Sequence, residues 1–208
     1  MPTSINLTPA KRRILLASSS PYRATLLQQL GIEFSQAAPD INEARLDNES
    51  PENMVARLTE QKAWALTAKY PNHTIIASDQ IALTQRGEIL GKPKTEANAI
   101  NQLLSVSGEK LSFLTGLCVL TPLDEAGEWK QQSTIEPFQV YFRNLSRKQI
   151  SNYVKREQPL DCAGSFKVEG MGISLFEKLE GDDPNALVGL PLIKLCSFLE
   201  IAGLPVLG

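Results

Sequence analysis

An aspartate stands in the middle of an otherwise apolar strand pattern. Residues 74–84 predict a strand. On one of its faces every side chain is apolar except Asp79. A buried carboxylate is costly unless a cation pairs with it, so a lysine or a metal ion must lie nearby. Such a carboxylate could orient a water molecule as a general base. The alternative role for Asp79 is a structural ion pair.

A lysine lies on the apolar side of a predicted helix. The helix begins at Ser50-Pro51 and ends near Tyr70-Pro71. Its apolar face carries Lys62 together with Val55, Leu58 and Leu66. Lys62 either extends its amine past that face to solvent or points into a cleft to meet phosphate.

A serine-rich turn joins a short strand to a helix. The predicted strand covers residues 14–17, Ser20 is the predicted N-cap, Pro21 is the first helical residue and Gly31 ends the helix. The free N–H groups at a helix N-terminus suit phosphate, and Arg23 adds a planar, charged fork. The alternative is an ordinary capped helix with a surface arginine.

Two further segments are weaker signals. Lys92 stands in a turn between Gly91 and Pro93, where it could reach a phosphate. Residues 162–172 contain three glycines, which allow close approach of the backbone to a ligand. This segment is neither GxGxxG nor a Walker A loop, so it does not indicate those nucleotide folds.

The composition is that of one ordinary globular domain. The 208 residues are 42% hydrophobic and 21% charged, with a net charge of −2, which excludes wholesale disorder and gives no basic excess for nucleic acid. The three cysteines form no CxxC pair, which favours a reducing, cytoplasmic compartment. No apolar run suits a signal peptide or a membrane span. We expect one domain over residues 1–208, with residues 1–12 as a flexible leader.

Strands and helices alternate along the chain, which predicts the α/β class. Two long strands, residues 111–120 and 133–143, form a hairpin around a polar turn at Asp124–Gly127, so we expect a mixed sheet with flanking helices. Thr95 is the predicted cap of a helix that closes near Gly108. A capping box at Ser146 begins a helix over about 147–156. A further strand covers 173–179, a turn covers 180–184, and the last helix covers 191–201.

In their order, several short segments resemble the Maf (septum-formation) family of nucleoside triphosphate pyrophosphatases. The resemblance covers about residues 13–203. The matching segments are Leu16–Arg23, Asp40–Glu43, Arg57–Ala63, Ala77–Gln80, Gly91–Pro93, Leu160–Gly164 and Val188–Leu192. The family implies an elongated, two-lobed fold of the Maf and inosine triphosphate pyrophosphatase type, with a central cleft, and a homodimer.

The resemblance also implies a reaction and a role for each matching residue. Such enzymes cleave a nucleoside triphosphate between the α- and β-phosphates, with a divalent cation such as Mg²⁺ or Mn²⁺. Asp79 would activate water, and Glu43 and Asp79 would hold the metal. The phosphate-binding residues would be Ser18, Ser20, Arg23, Lys62 and Lys92.

Three positions indicate the branch of the family. Tyr22, Gln80 and Glu169 are similar to the branch that hydrolyses 7-methyl-GTP. The methylated guanine is cationic, so Tyr22 could stack on it and Glu169 could accept its hydrogen bonds. Two alternatives remain: the same reaction on dTTP, UTP or another modified nucleotide, and a non-catalytic regulator of cell division.

Overall fold

The computed structural model describes residues 13–123 and 127–208, and in this part of the chain seven strands form one mixed sheet. The predicted leader, residues 1–12, and part of the predicted polar turn, residues 124–126, lie outside the described residues. The strands are β1 (Arg13–Leu16), β2 (Phe34–Gln36), β3 (His73–Leu83), β4 (Ile89–Leu90), β5 (Lys110–Pro122), β6 (Trp129–Phe142) and β7 (Phe176–Glu180). The helices are α1 (Pro21–Gln29), α2 (Pro51–Trp64), α3 (Glu96–Ser105), α4 (Arg147–Glu157), α5 (Pro184–Val188) and α6 (Leu192–Ile201).

The sheet has the order β2-β1-β3-β5-β6-β7, with β4 paired to the far end of β3. β2, β1 and β3 are parallel to one another, whereas β5, β6 and β7 are joined by antiparallel pairing. The predicted α/β class with a mixed sheet and flanking helices is therefore confirmed. Within the described ranges, no helix has the length and apolar character of a membrane span.

Capping side chains begin four helices where the sequence predicts them. The hydroxyl groups of Ser20, Ser50, Thr95 and Ser146 each accept a hydrogen bond from the backbone N–H three residues later. At Ser146 the reciprocal bond from Gln149 completes the predicted capping box. These caps satisfy N–H groups that the first helical turn leaves unpaired.

Several predicted boundaries differ from the structure, among them the start of β6, which lies at Trp129 instead of at residue 133. α2 ends at Trp64 instead of near Tyr70, because Leu66 and Thr67 donate to carbonyls three residues back and tighten the chain into turns. β7 begins at Phe176 instead of at residue 173, because Met171–Leu175 form a 3₁₀ helix. The segment after the predicted turn at 180–184 forms α5, whose first turn is capped by Asp183.

The hydrophobic core is divided between the two ends of the long strands. At one end, α3 and α4 pack on a cluster that includes Leu111, Phe113, Phe138 and Ile150. At the other end, α1 and α6 cover one face of the sheet and α2 covers the other. The central parts of β3 and β5 join the two lobes.

A notch interrupts one edge of β3 between these lobes. β1 pairs with His73–Ile76, and β4 pairs only with Ala82 and Leu83. In the described part of the chain, residues 77–81 thus have no strand partner on this side, although β5 pairs with β3 continuously on the other. The carboxyl ends of parallel strands beside such a break are a common place for a ligand.

Candidate functional site

A cleft of about 630 Å³ opens at this notch. All ten residues singled out from the sequence line it, although they come from two helices, four loops and one strand. They are Ser18, Ser20, Tyr22, Arg23, Glu43, Lys62, Asp79, Gln80, Lys92 and Glu169. The fold therefore brings together residues that are up to 151 positions apart in the chain.

Lys62 lies between two carboxylates at the floor of the cleft. Its Nζ is 2.5 Å from Oδ1 of Asp79 and 2.7 Å from Oε1 of Glu43. Lys62 and Asp79 are 7% and 8% exposed, so the pair is almost removed from water. The lysine does not extend to solvent, and the cation expected beside Asp79 is its ammonium group.

The N-terminus of α1 forms one wall. Ser18 Oγ accepts a hydrogen bond from the Ser20 N–H at 3.1 Å, and Ser20 Oγ caps the helix. Arg23 Nε donates to the carbonyl oxygen of Gly189 at 2.8 Å, which ties α1 to the end of α5. Burial lowers the pKa of Arg23 from its ordinary value, while the charges of Asp79 and Glu43 act in the opposite direction.

Cations dominate the surroundings of Glu43. The pKa of Glu43 is lowered mainly by its hydrogen bond with Lys62, and the charges of Lys62, Lys92 and Arg23 lower it further. Lys92 is itself exposed at the rim of the cleft. This end of the cleft is therefore suited to a polyanion such as a triphosphate.

An ion pair that the sequence analysis missed holds the loop that carries Glu43. Arg57 on α2 makes two hydrogen bonds to the carboxylate of Glu49, at 2.6 and 2.8 Å, and a third to the carbonyl oxygen of Ala44. The hydrogen bond from Arg57 lowers the pKa of Glu49 to about 2. Arg57 lies in a segment that matches the family pattern, but nothing in its spacing pointed to Glu49.

The opposite end of the cleft has an aromatic ring and acidic groups. Tyr22, Asp161, Cys162 and Glu169 all line it. Burial, followed by the nearby Cys162 and Asp161, raises the pKa of Tyr22. Burial also raises the pKa of Cys162 to about 12, so its thiol is neutral at physiological pH.

Gln80 projects from the other face of β3, away from Asp79, because successive strand residues alternate in direction. Its amide nitrogen lies within hydrogen-bond distance of Thr115 Oγ1 and of the carbonyl oxygens of Ala186 and Leu187. The nitrogen thus fastens β3 to α5. Its carbonyl oxygen is the part of the side chain left for a ligand.

The glycine-rich segment that carries Glu169 is fixed to α4. The Lys167 N–H donates to the hydroxyl of Tyr153 at 3.0 Å, and the Met171 N–H donates to Oε1 of Glu157 at 3.1 Å. These anchors lie on both sides of Glu169. They hold it, exposed, at the rim of the cleft.

The acidic groups at the cleft floor suit a divalent metal in kind and number. Asp79 and Glu43 converge on a single cationic atom, Lys62 Nζ. Among the described residues no group of three or more His, Cys, Asp or Glu side chains could enclose a metal. Mg²⁺ commonly uses one or two protein carboxylates and completes its shell with water and phosphate oxygens, so these two residues fit it.

The sequence and the structure of this chain were compared with those of known proteins. It is 55% identical over 200 residues, 96% of its length and 98% of the relative's, to a protein of Nitrosococcus oceani named 7-methyl-GTP pyrophosphatase. Among solved structures, the Staphylococcus aureus Ham1 protein matches 90% of this chain and 98% of its own, with a TM-score of 0.47 and 14% identity. Protein VC0702 from Vibrio cholerae matches 99% and 98%, with a TM-score of 0.42 and 11% identity. The model of the family described as Maf-like protein matches residues 13–202, so the chain belongs to the Maf family.

Proposed function

We propose that this protein is a nucleoside triphosphate pyrophosphatase that hydrolyses 7-methyl-GTP to 7-methyl-GMP and pyrophosphate. The observation that carries the proposal is the cleft itself, which has cations around a buried aspartate at one end and an aromatic ring with carboxylates at the other. A nucleotide with a cationic base and a polyanionic tail has the complementary charges. The name of the Nitrosococcus oceani relative supports the same substrate.

The cationic end would bind and activate the triphosphate. Lys62, Lys92 and Arg23, with the hydroxyls of Ser18 and Ser20, would neutralise and orient the phosphate oxygens. Asp79 would accept a proton from a water molecule as that water attacks the α-phosphorus. The bond from the α-phosphorus to the bridging oxygen then breaks, and pyrophosphate leaves.

A divalent cation, Mg²⁺ or Mn²⁺, would be held by Asp79 and Glu43. When bound, it would neutralise phosphate charge and make the attacked phosphorus more electrophilic. The shared contact of both carboxylates with Lys62 Nζ supports this assignment, because it brings their oxygen atoms close to one another.

The other end would recognise the base. Tyr22 would stack on the methylated ring, whose positive charge is attracted to an aromatic face. Glu169 would accept hydrogen bonds from N1–H and the exocyclic amine, and the free carbonyl oxygen of Gln80 would add a further acceptor. The branch that acts on dTTP and UTP is expected to have threonine at position 80 and glutamine at position 169, and many family members have arginine at position 22. The Tyr22→Arg/Gln80→Thr/Glu169→Gln variant should therefore shift activity towards dTTP and UTP.

Product analysis tests both the bond cleaved and the base preferred. The protein is incubated with Mg²⁺ and a panel of normal and methylated triphosphates, and the products are separated by chromatography. We expect 7-methyl-GMP and pyrophosphate in equal amounts. Release of single phosphates, or preference for dTTP or UTP, would contradict the proposal, and no turnover of any nucleotide would favour a non-catalytic role.

The Asp79→Asn variant tests the mechanism. Losing a general base lowers turnover by roughly 10²–10⁴-fold, and the amide keeps the shape of the side chain. The Asp182→Asn variant, at an exposed position outside the cleft lining, should keep wild-type activity. Undiminished turnover in Asp79→Asn would remove Asp79 from the mechanism.

We also propose that the protein is a homodimer in a reducing, cytoplasmic compartment. A second groove, of about 880 Å³, lies away from the cleft and exposes parts of Leu83, Leu114 and Pro137, which a second copy could cover. The three free thiols, Cys118, Cys162 and Cys196, are consistent with reducing conditions. Sedimentation analysis of wild type and Leu114→Lys would test the dimer, since the new charge should produce monomers.

A further inference from the structure

Asp161 stands beside Tyr22 in the cleft, and no role has been given to it above. Its carboxylate is exposed and lines the cleft next to Cys162, whose thiol donates to Oδ1 of Asp161 at 3.5 Å. The backbone just before it is fixed, because the Lys94 N–H donates to the carbonyl oxygen of Leu160 at 3.0 Å. Asp161 is thus presented to the ligand from an anchored segment.

The acidic groups at this end of the cleft are Asp161 and Glu169. Over the described ranges, neither Asp161 nor Glu169 has an ion-pair partner within 4 Å, although Lys94 also lines the cleft. Lys62 is bound to Asp79 and Glu43, and Lys167 donates to the carbonyl oxygen of Glu157. The neutral Tyr22 and Cys162 add no charge of their own, and the charges of both carboxylates, Asp161 and Glu169, act on the Tyr22 ring.

We propose that Asp161 is a specificity-determining residue which, together with Glu169, selects a nucleotide whose base carries a positive charge. The inference rests on the proposed function and adds to it a second carboxylate and a charge-based criterion. Glu169 can use the hydrogen-bond donors that methylated and ordinary guanine share. Asp161 supplies the attraction that only the cationic ring receives.

A pair of substrates separates charge from shape. 7-Methyl-GTP has a cationic base, whereas 7-deaza-7-methyl-GTP carries its methyl group at the same place on a neutral ring. We expect wild type to prefer 7-methyl-GTP in kcat/KM, and to lose part of that preference as NaCl is raised, because salt screens exposed charges.

Asp161→Asn is the decisive variant. It should lower kcat/KM for 7-methyl-GTP by about tenfold, as expected for one lost charge–charge contact near the surface, while the value for the deaza analogue stays within about twofold. Asp161→Glu should restore most of the preference. Asp182→Asn, an exposed aspartate outside the cleft lining, should leave both substrates unchanged.

Other results would overturn the inference. An equal loss on both nucleotides would make Asp161 structural, and no loss on either would exclude it from recognition. If wild type turned over neither nucleotide, the proposed function would fail. The inference would then be judged by whether Asp161→Asn abolishes the difference in Kd between the two nucleotides.

Discussion

The ammonium group of Lys62 lies 2.5 Å from the carboxylate of Asp79, and the pair joins the middle of β3 to the last turn of α2. Glu43 adds a second carboxylate at 2.7 Å. Lys62 therefore offsets the cost of placing an aspartate inside a sheet. It also links the acidic loop, the helix and the strand that together form the floor of the cleft.

Removing the lysine should reveal what this pair contributes to stability. Lys62→Met keeps most of the apolar stem but leaves Asp79 buried without its cation, and breaking a buried pair in this way costs about 3–5 kcal/mol. We expect a loss of this size in the free energy of unfolding, measured by urea denaturation. Lys148→Met, at an exposed position on α4, should change it by less than about 0.5 kcal/mol.

Adding Asp79→Asn to Lys62→Met tests whether the unpaired carboxylate causes the loss of stability. In the Lys62→Met/Asp79→Asn double variant no carboxylate remains unpaired at Asp79, so part of the lost stability should return. A double variant as unstable as the sum of the single variants would show that the two residues act independently.

Gly116 of β5 allows α2 to lie close against the sheet. A Cβ at this position would be 2.1 Å from Thr59 Oγ1 and 3.3 Å from the carbonyl oxygen of Val55. Gly116→Ala should therefore push α2 outward and lower the free energy of unfolding by about 1–3 kcal/mol. Since Lys62 lies on the same helix, kcat/KM should fall as well.

Gly91→Ala is the matching control, because a Cβ at Gly91 meets no atom within 4 Å and Gly91 has no positive φ. Its stability should remain close to that of wild type. A stable, active Gly116→Ala variant would show that α2 can move without disturbing the site.

The Glu49–Arg57 pair predicts a particular acid sensitivity. The pKa of Glu49 is lowered to about 2 from an ordinary value of 4.5 by the hydrogen bond from Arg57. Because the folded-state pKa is the lower one, the stabilisation is fully present above about pH 4.5 and is lost as the pH falls towards 2. The stability gap between wild type and Glu49→Gln should therefore narrow over this range.

Unfolding measured at successive pH values would test this, with a direct titration of the Glu49 carboxyl by NMR. A gap between wild type and Glu49→Gln that stays constant from pH 5 to pH 2 would show that the pair does not stabilise the loop.

Gly172 keeps the segment around Glu169 tightly folded. Its N–H donates to the carbonyl oxygen of Lys167 at 3.0 Å, and a Cβ on Gly172 would lie 2.2 Å from that oxygen. Since backbone atoms cannot move aside as a side chain can, Gly172→Ala should reshape the turn and displace Glu169. We expect KM for 7-methyl-GTP to rise severalfold while kcat changes little.

A ligand that carries the phosphates without a base makes this prediction specific. Inorganic triphosphate should inhibit Gly172→Ala and wild type equally, because the phosphate-binding end is unchanged. A parallel loss of triphosphate binding would show a general collapse of the cleft.

Local signals in the sequence determined much of the fold. Serine or threonine caps followed by proline or by helical spacing located the starts of α1, α2, α3 and α4, because capping depends on residues only a few positions apart. The alternating pattern around Asp79 is also local, because alternate residues of a strand share one face. It placed Asp79 on the buried face, where a carboxylate needs a nearby cation. Family resemblance added which residues would share the cleft.

Only the tertiary structure decided how the site is built. β1 stops at Leu16, opposite Ile76, and β4 pairs only with Ala82 and Leu83, and this break in pairing leaves the notch in which Asp79 lies. The hydrogen bond from Arg23 to Gly189 joins residues 166 positions apart. The ion pair between Arg57 and Glu49 depends on how a loop folds back on α2. Such long-range contacts depend on the packing of whole elements, so no local pattern of residues could have revealed them.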